Sequence, residues 1–173
     1  SKATGGAEGR PTAADATQFP EALQGFLTLA ELPRPLPWSH DSQASSAELR
    51  CGDALVATTA PPAARTWEAT SDGVAAPPPA ITLTFAKTSD TTTATAGFAA
   101  CKQGYSQKGA VDDPPDGGVG DESFLYAADP DVTLLVVRSG SSYLSVRYAT
   151  GAYDDTKAIA LAALDSFATA GRL

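Results

Sequence analysis

The apolar run VTLLVV at residues 132–137 leaves few options for how this chain folds. Its side chains are apolar on both faces, which is the pattern of a central strand covered on each side. A short polar turn follows at residues 138–142, and polarity then alternates from residue 143 to residue 148, which predicts a hairpin. A sheet built around this strand needs helices to cover its apolar surface.

Two later segments carry helix signals that would supply this cover. Residues 89–90 can cap a helix that runs through Cys101, and residues 154–155 can cap a longer helix that ends at Gly171. In the longer helix, one face is predicted to hold Ile159, Ala160, Ala163, Leu164 and Phe167. The threonine run at residues 91–93 argues weakly against the first helix, because β-branched side chains lose rotamer freedom there.

Four shorter segments are predicted to form further strands. They are a strand within residues 49–58 that carries Cys51, one at 64–70 around Trp67, one at 81–86 and one at 122–127. Residues 104–122 form the longest stretch without a regular pattern and are a candidate functional loop. The regular β–α alternation of a doubly wound sheet is not seen. The pattern therefore predicts an α+β fold, one antiparallel β-sheet covered by helices, in a single domain over residues 18–173.

The first third of the chain is predicted to be built differently. Apart from Pro11, residues 1–17 hold no apolar side chain larger than alanine, so we interpret them as a disordered linker or tether. An amphipathic helix is predicted from Pro20 to Leu32. Alternate prolines at residues 33–37 then exclude a helix, and a rigid connector is a better interpretation than a polyproline ligand.

Charge and hydropathy exclude two classes of partner. Twelve lysines and arginines against 20 aspartates and glutamates give a net charge of −8, which would repel a nucleic acid backbone. No apolar run is long enough to span a bilayer, and no signal peptide is visible. Contact with a membrane is expected only through an N-terminal anchor outside this chain.

The two cysteines, Cys51 and Cys101, allow a single pairing. A disulfide between them would close a loop of about 50 residues and stabilise the fold by about 4 kcal/mol through chain entropy. Two buried free thiols in a cytosolic protein are the alternative. There is no Cys-x-x-Cys pair, and His40 is the lone histidine, so a structural zinc site is not expected. We predict a disulfide and an oxidising compartment.

A family resemblance rests on the C-terminal half of the chain. Gly120-Asp121-Glu122 precedes a strand, and Val136-Val137-Arg138 ends the next one, before a small turn and a paired strand. An upstream helix ends in a cysteine, here over Phe98 to Cys101. Over residues 80–170 this resembles the extracellular sensor domains of PknH-type kinases and the DUF3558-like envelope lipoproteins of actinobacteria. The resemblance implies an α/β sandwich similar to Mog1 and PsbP, located outside the membrane and without catalysis.

The residue pattern gives little support for a catalytic site or a metal site. A secreted hydrolase is the alternative from another class of function. His40 is the only histidine that could act as its base, but the sequence has no Gly-x-Ser-x-Gly elbow. The candidate loop at residues 104–122 carries several carboxylates, and we call it the acidic loop. It does not match the EF-hand pattern, because Pro114 stands at a ligand position. An irregular calcium site remains open, with weak candidates at Asp112, Asp113, Asp116, Asp121 and Asp129. No metal and no cofactor are expected.

Aromatic and basic side chains are the remaining candidates for recognition. Tyr143 and Arg147 are expected to share the wetter face of the last strand and to line a binding groove, with Trp67 and Tyr105 as further binding candidates. The sequence thus favours a non-enzymatic extracytoplasmic domain, membrane-anchored or secreted. Its expected partner is a small envelope ligand, a glycan or an envelope protein. A structural or inhibitory secreted protein is a third interpretation.

Overall fold

The computed structural model of the protein describes residues 27, 38–44, 49–51, 54–59, 62–69, 80–129, 132–149 and 152–173. The predicted tether at 1–17 and the predicted connector at 33–37 lie outside the described residues. So does the predicted helix from Pro20 to Leu32, apart from Leu27.

The described residues form nine strands and two helices. The strands are β1 (Trp38–Ala44), β2 (Leu49–Cys51), β3 (Ala54–Val56), β4 (Ala63–Ala69), β5 (Ala80–Lys87), β6 (Val111–Asp112), β7 (Glu122–Asp129), β8 (Val132–Ser139) and β9 (Ser142–Ala149). The helices are α1 (Thr91–Ser106) and α2 (Tyr153–Thr169).

Seven of these strands form one antiparallel sheet in the order β1-β4-β5-β9-β8-β7-β6, and β2 and β3 form a separate hairpin. β8 lies inside the sheet between β9 and β7, and its residues 134–138 are buried. The prediction from the VTLLVV run is therefore confirmed, and so is the α+β class.

The two helices cover opposite faces of the sheet. Helix α2 packs against the face that carries Leu135 and Val137, and Ile159, Ala160, Ala163 and Phe167 join them in one apolar core. Helix α1 packs against the face that carries Leu134 and Val136, through Ala94, Phe98 and Cys101. This arrangement explains why β8 is apolar at every position from 134 to 137: neither face of the strand meets water.

Several predicted boundaries need correction. The segment 49–58 is a hairpin of two short strands, not one strand. The loop predicted at residues 104–122 is shorter in the structure, because α1 continues to Ser106 and β6 occupies residues 111–112. Helix α1 begins at Thr91 despite the threonine run, because the Asp90 side chain accepts a hydrogen bond from the Thr93 amide at 2.7 Å.

The predicted cap of α2 is also wrong. Ala152 is the N-cap and makes no side-chain hydrogen bond, while Asp154 and Asp155 lie within the first turn. Carboxylates in the first turn still favour the helix, because they interact with the positive end of its dipole. At the other end, Gly171 has a φ of +72°, so the helix ends near the predicted residue.

Leu27 packs into the core. Its side chain is fully buried in the same apolar cluster as Trp67, and its carbonyl oxygen accepts a hydrogen bond from Arg65 Nη1 at 3.1 Å. The Arg65 guanidinium also lies 5.6 Å from the centre of the Trp67 ring. Burial lowers the pKa of Arg65 to about 10, which leaves the side chain charged at neutral pH.

Candidate functional site

A disulfide bond joins Cys51 to Cys101, with the two Cα atoms 4.7 Å apart. Cys51 ends β2, and Cys101 lies on the face of α1 that packs on the sheet, so the bond fastens the β2–β3 hairpin to α1. Both residues are nearly inaccessible to water, at 4% and 1% exposure. The predicted pairing is confirmed.

Two of the four predicted binding residues belong to the core. Trp67 is fully buried, and Tyr143 is 4% exposed. The prediction that Tyr143 lies on the wetter face of the last strand is wrong, because α1 covers that end of β9. Its hydroxyl donates a hydrogen bond to the carbonyl oxygen of Ala94, and burial raises its pKa to about 12.

Tyr105 and Arg147 have different surroundings. Tyr105 is half-buried and packs against Tyr126 and Phe124, with ring centroids 4.6 and 6.0 Å away. Burial and the neighbouring Tyr126 raise its pKa. Arg147 is exposed, as the sequence indicates. The structure therefore does not bring the four residues into one groove.

The weak metal candidates do not form one site, and three of them pair with basic side chains. Asp113 accepts from Lys102 at 3.0 Å, Asp116 accepts from Lys157 at 2.5 Å, and Asp121 lies 3.5 Å from Arg138. Asp112 lies in β6, and Asp129 ends β7. Within the described ranges, no three metal-ligating side chains converge. Three basic side chains thus offset part of the negative charge of these carboxylates.

Asp116 fastens the loop to the start of α2. Its carboxylate accepts hydrogen bonds from the Tyr153 hydroxyl at 2.7 Å and the Gly118 amide at 3.2 Å, besides Lys157. These contacts, Lys157 first, lower the pKa of Asp116 to about 2. Burial and then Asp116 raise the pKa of Tyr153 to about 12. The loop is thus held against the helix by a charged pair.

Glycines let the same loop pack closely. Gly118 and Gly120 have φ values of +80° and +68°. A Cβ atom at Gly118 would lie 1.9 Å from Ser123 Oγ, and one at Gly120 would lie 2.6 Å from the backbone oxygen of Arg138. The Val119 amide donates to Ser123 Oγ and the Asp121 amide donates to the Arg138 carbonyl, so these glycines allow the loop to pack against β7 and β8.

We expect the Asp116 carboxyl to titrate near pH 2 in the folded protein, and to move up toward its ordinary value of 3.8 in Lys157→Ala. Its folded pKa lies below the unfolded one, so its stabilising contribution is present above pH 3.8 and is lost as the pH falls through about 2. Carboxyl NMR titration of both proteins checks this, with Lys102→Ala as the control. A titration of Asp116 that is unchanged in Lys157→Ala would contradict the ion pair.

Strands β1, β4, β5 and β9 share a face on the α1 side of the sheet, next to the part that α1 covers. We call it the polar face. The paired registers place twelve positions on it in three rows: Ser39, Glu68, Ala80 and Ala149; Asp41, Thr66, Thr82 and Arg147; and Gln43, Ala64, Thr84 and Ser145. Arg147 and Glu68 are exposed, and the described side chains between them are half-buried and small. The Thr66 and Thr82 hydroxyls are hydrogen-bonded at 3.1 Å.

This polar face has rigid support from beneath. The alternate residues of the same strands, Trp67, Ile81, Leu83 and Tyr148, are fully buried in the core under the opposite face. Sequence alternation gives this pattern on β5 and β9, but it does not reveal that β1 and β4 extend the same face. That information lies in the strand order.

His40 lies in β1, opposite Trp67 in the register. Successive residues of a strand alternate between its two faces. The positions of Ser39 and Asp41 are therefore on the polar face, and the position of His40 is on the other face of the strand. Adjacency in the sequence does not place these three residues together.

Comparisons with known proteins add no relative. No protein-family model, no curated protein and no solved structure matches the chain significantly. None of the helices that the structure describes is long and apolar enough to cross a membrane.

Proposed function

We propose that this chain is a non-enzymatic extracytoplasmic domain of the cell envelope that acts by binding a protein partner through its polar face. The buried disulfide supports the compartment, because such bonds form and persist in oxidising environments. The observation that carries the binding role is the exposed Arg147 on a face whose other described side chains are mostly small and half-buried.

The composition of the polar face favours a protein over a small ligand. Small-molecule sites are lined mostly by apolar and aromatic side chains. The described part of the polar face instead presents short alanine, serine and threonine side chains above a buried core. Arg147 is its one cation, so the partner offers a carboxylate at that point.

The proposal that the chain is non-enzymatic is supported by charged side chains that pair with each other. Arg138 is bound by Glu122 at 2.6 Å, and its Nη1 donates to the Gly140 carbonyl at 2.9 Å, while Asp116 is held by Lys157. These groups fasten turns and loops. The alternating positions of residues 39–41 give the hydrolase alternative no support either.

The same proposal includes the expected source, family and anchoring of the chain. They are an actinobacterial origin, kinship with PknH-type sensors or DUF3558-like lipoproteins, and a lipid anchor or secretion with residues 1–17 as the tether. The fold agrees with what the resemblance implies, an antiparallel sheet with helices on both faces.

Site-specific photo-cross-linking in the native host tests the binding role. A cross-linking residue at Ser145 reports on the polar face, and one at Leu161, which is 50% exposed on α2, is the matched control. We expect a discrete protein adduct from position 145 that is lost with Arg147→Asp, and none from position 161. Equal adducts from both positions, no adduct, or a heterogeneous glycan adduct at 145 would contradict the proposal.

A further inference from the structure

The two edges of the seven-stranded sheet are built differently. At one edge, β6 is two residues long and pairs with the middle of β7, at Tyr126 and Leu125. The acidic loop packs against the start of the same strand, where the Val119 amide donates to Ser123 Oγ at 3.1 Å. A short edge strand and a covering loop are two of the ways in which proteins keep a sheet edge from pairing with another chain.

The opposite edge, β1, has neither form of protection among the described residues. β1 pairs with β4 over all seven of its residues, in a register without a bulge. Its sequence, WSHDSQA, contains no proline, no lysine and only one carboxylate, whereas proline and charged residues are common blocks to pairing at an edge. The strand order of the described sheet places no strand beyond it. β1 therefore offers backbone N–H and C=O groups along its outer edge.

A row of backbone donors and acceptors is matched by the backbone of another strand, whatever the side chains of that strand are. β1 also borders the polar face, because the positions of Ser39, Asp41 and Gln43 lie on that face. A partner that covers the polar face therefore reaches this edge. We propose that the protein partner of the polar face contributes an extended, proline-free segment that pairs with the outer edge of β1 as an added strand; this rests on the binding role proposed above.

A different protein fits this edge better than a second copy of this chain. Each copy carries a net charge of −8, and pairing two β1 strands would bring two such domains edge to edge, with the strands about 4.8 Å apart. Like charges oppose that approach, because physiological salt screens them only beyond about 8 Å. An extended segment of another protein brings no second acidic domain, and its main-chain hydrogen bonds supply affinity.

Proline substitution at two adjacent positions of β1 tests the open edge. Amide groups of successive residues in an antiparallel strand point alternately to its two sides. Of His40→Pro and Asp41→Pro, one therefore removes an amide that donates to β4, and the other removes an amide that faces outward. We expect the first to lower the urea midpoint and the second to leave it unchanged. The outward proline is expected to reduce the adduct from the cross-linking residue at position 145 about tenfold or more, because it removes a donor to the added strand.

Alanine at the same two positions is the matched control. His40→Ala and Asp41→Ala change the side chain but keep the backbone amide, so both are expected to give the wild-type adduct. Hydrogen exchange in the purified adduct is a second measurement. About half of the seven β1 amides are expected to exchange more slowly in the adduct than in the free protein.

The possible results separate this strand pairing from the binding role. A position-145 adduct that the outward proline does not reduce would overturn the added strand and leave the binding role standing. Loss of the adduct with alanine as well as proline would also overturn it, because side chains and not the backbone would then be recognised. Two prolines that both lower the midpoint would overturn it too, since β1 would already be paired on both edges. An adduct between two copies of this chain would overturn the choice of partner, and no adduct in wild type would contradict the binding role and this pairing together.

Discussion

Replacing both cysteines by alanine is expected to lower the free energy of unfolding by about 4 kcal/mol. The bond closes a loop of 50 residues and fastens a hairpin of two three-residue strands to α1. A two-stranded hairpin has little stability of its own. Without the bond, the hairpin loses its covalent attachment, and the apolar cluster around Phe98 and Phe124 loses its two sulfur atoms.

Urea unfolding followed by tryptophan fluorescence measures this effect. Wild type in a phosphine reductant is expected to approach the midpoint of Cys51→Ala/Cys101→Ala, whereas the double variant is expected to be insensitive to the reductant. The same comparison separates loss of the bond from loss of the side chains. A double variant with the wild-type midpoint would show that the bond contributes nothing to stability.

Phe167→Ala is expected to lower the free energy of unfolding by about 3–5 kcal/mol. The Phe167 ring is fully buried, stacks on Phe85 with ring centroids 4.2 Å apart, and has the Arg172 guanidinium 5.8 Å from its centre. Truncation would leave a cavity between α2 and the sheet, because both elements are too rigid to close it. This is the largest effect expected of a single substitution in α2.

Leu161→Ala is the matched control on the same helix. Leu161 is 50% exposed, so its truncation is expected to change stability by about 0.5 kcal/mol or less. Thermal and urea unfolding of the three proteins checks both values. Similar losses for Phe167→Ala and Leu161→Ala would mean that α2 does not pack on the sheet with the face described.

The parts of the fold that could be predicted are those with a strong local pattern. The double-sided apolar run of β8 predicts a central covered strand, and the spacing of Ile159, Ala163 and Phe167 predicts the packed face of α2. The cysteine pair could be predicted because only one pairing exists. The β2–β3 hairpin could not, because strands of three residues are too short to show a period.

The site was predicted less well, because it depends on contacts between distant segments. Alternation along β9 places Tyr143 and Arg147 on one face, but it does not show that α1 covers only the Tyr143 end. In the acidic loop, the sequence shows the carboxylates but not that Lys157 comes from a helix 41 residues later. The polar face likewise exists only through the strand order.

The proposed location outside the cytosol and the stability of the hairpin both depend on the disulfide bond in the natively produced protein. Counting free thiols in material isolated from its host, denatured and never exposed to reductant, tests that bond directly. A Cys51–Cys101 disulfide predicts no free thiol before reduction and two after it. Two free thiols before reduction would contradict both the bond and the extracytoplasmic assignment that rests on it.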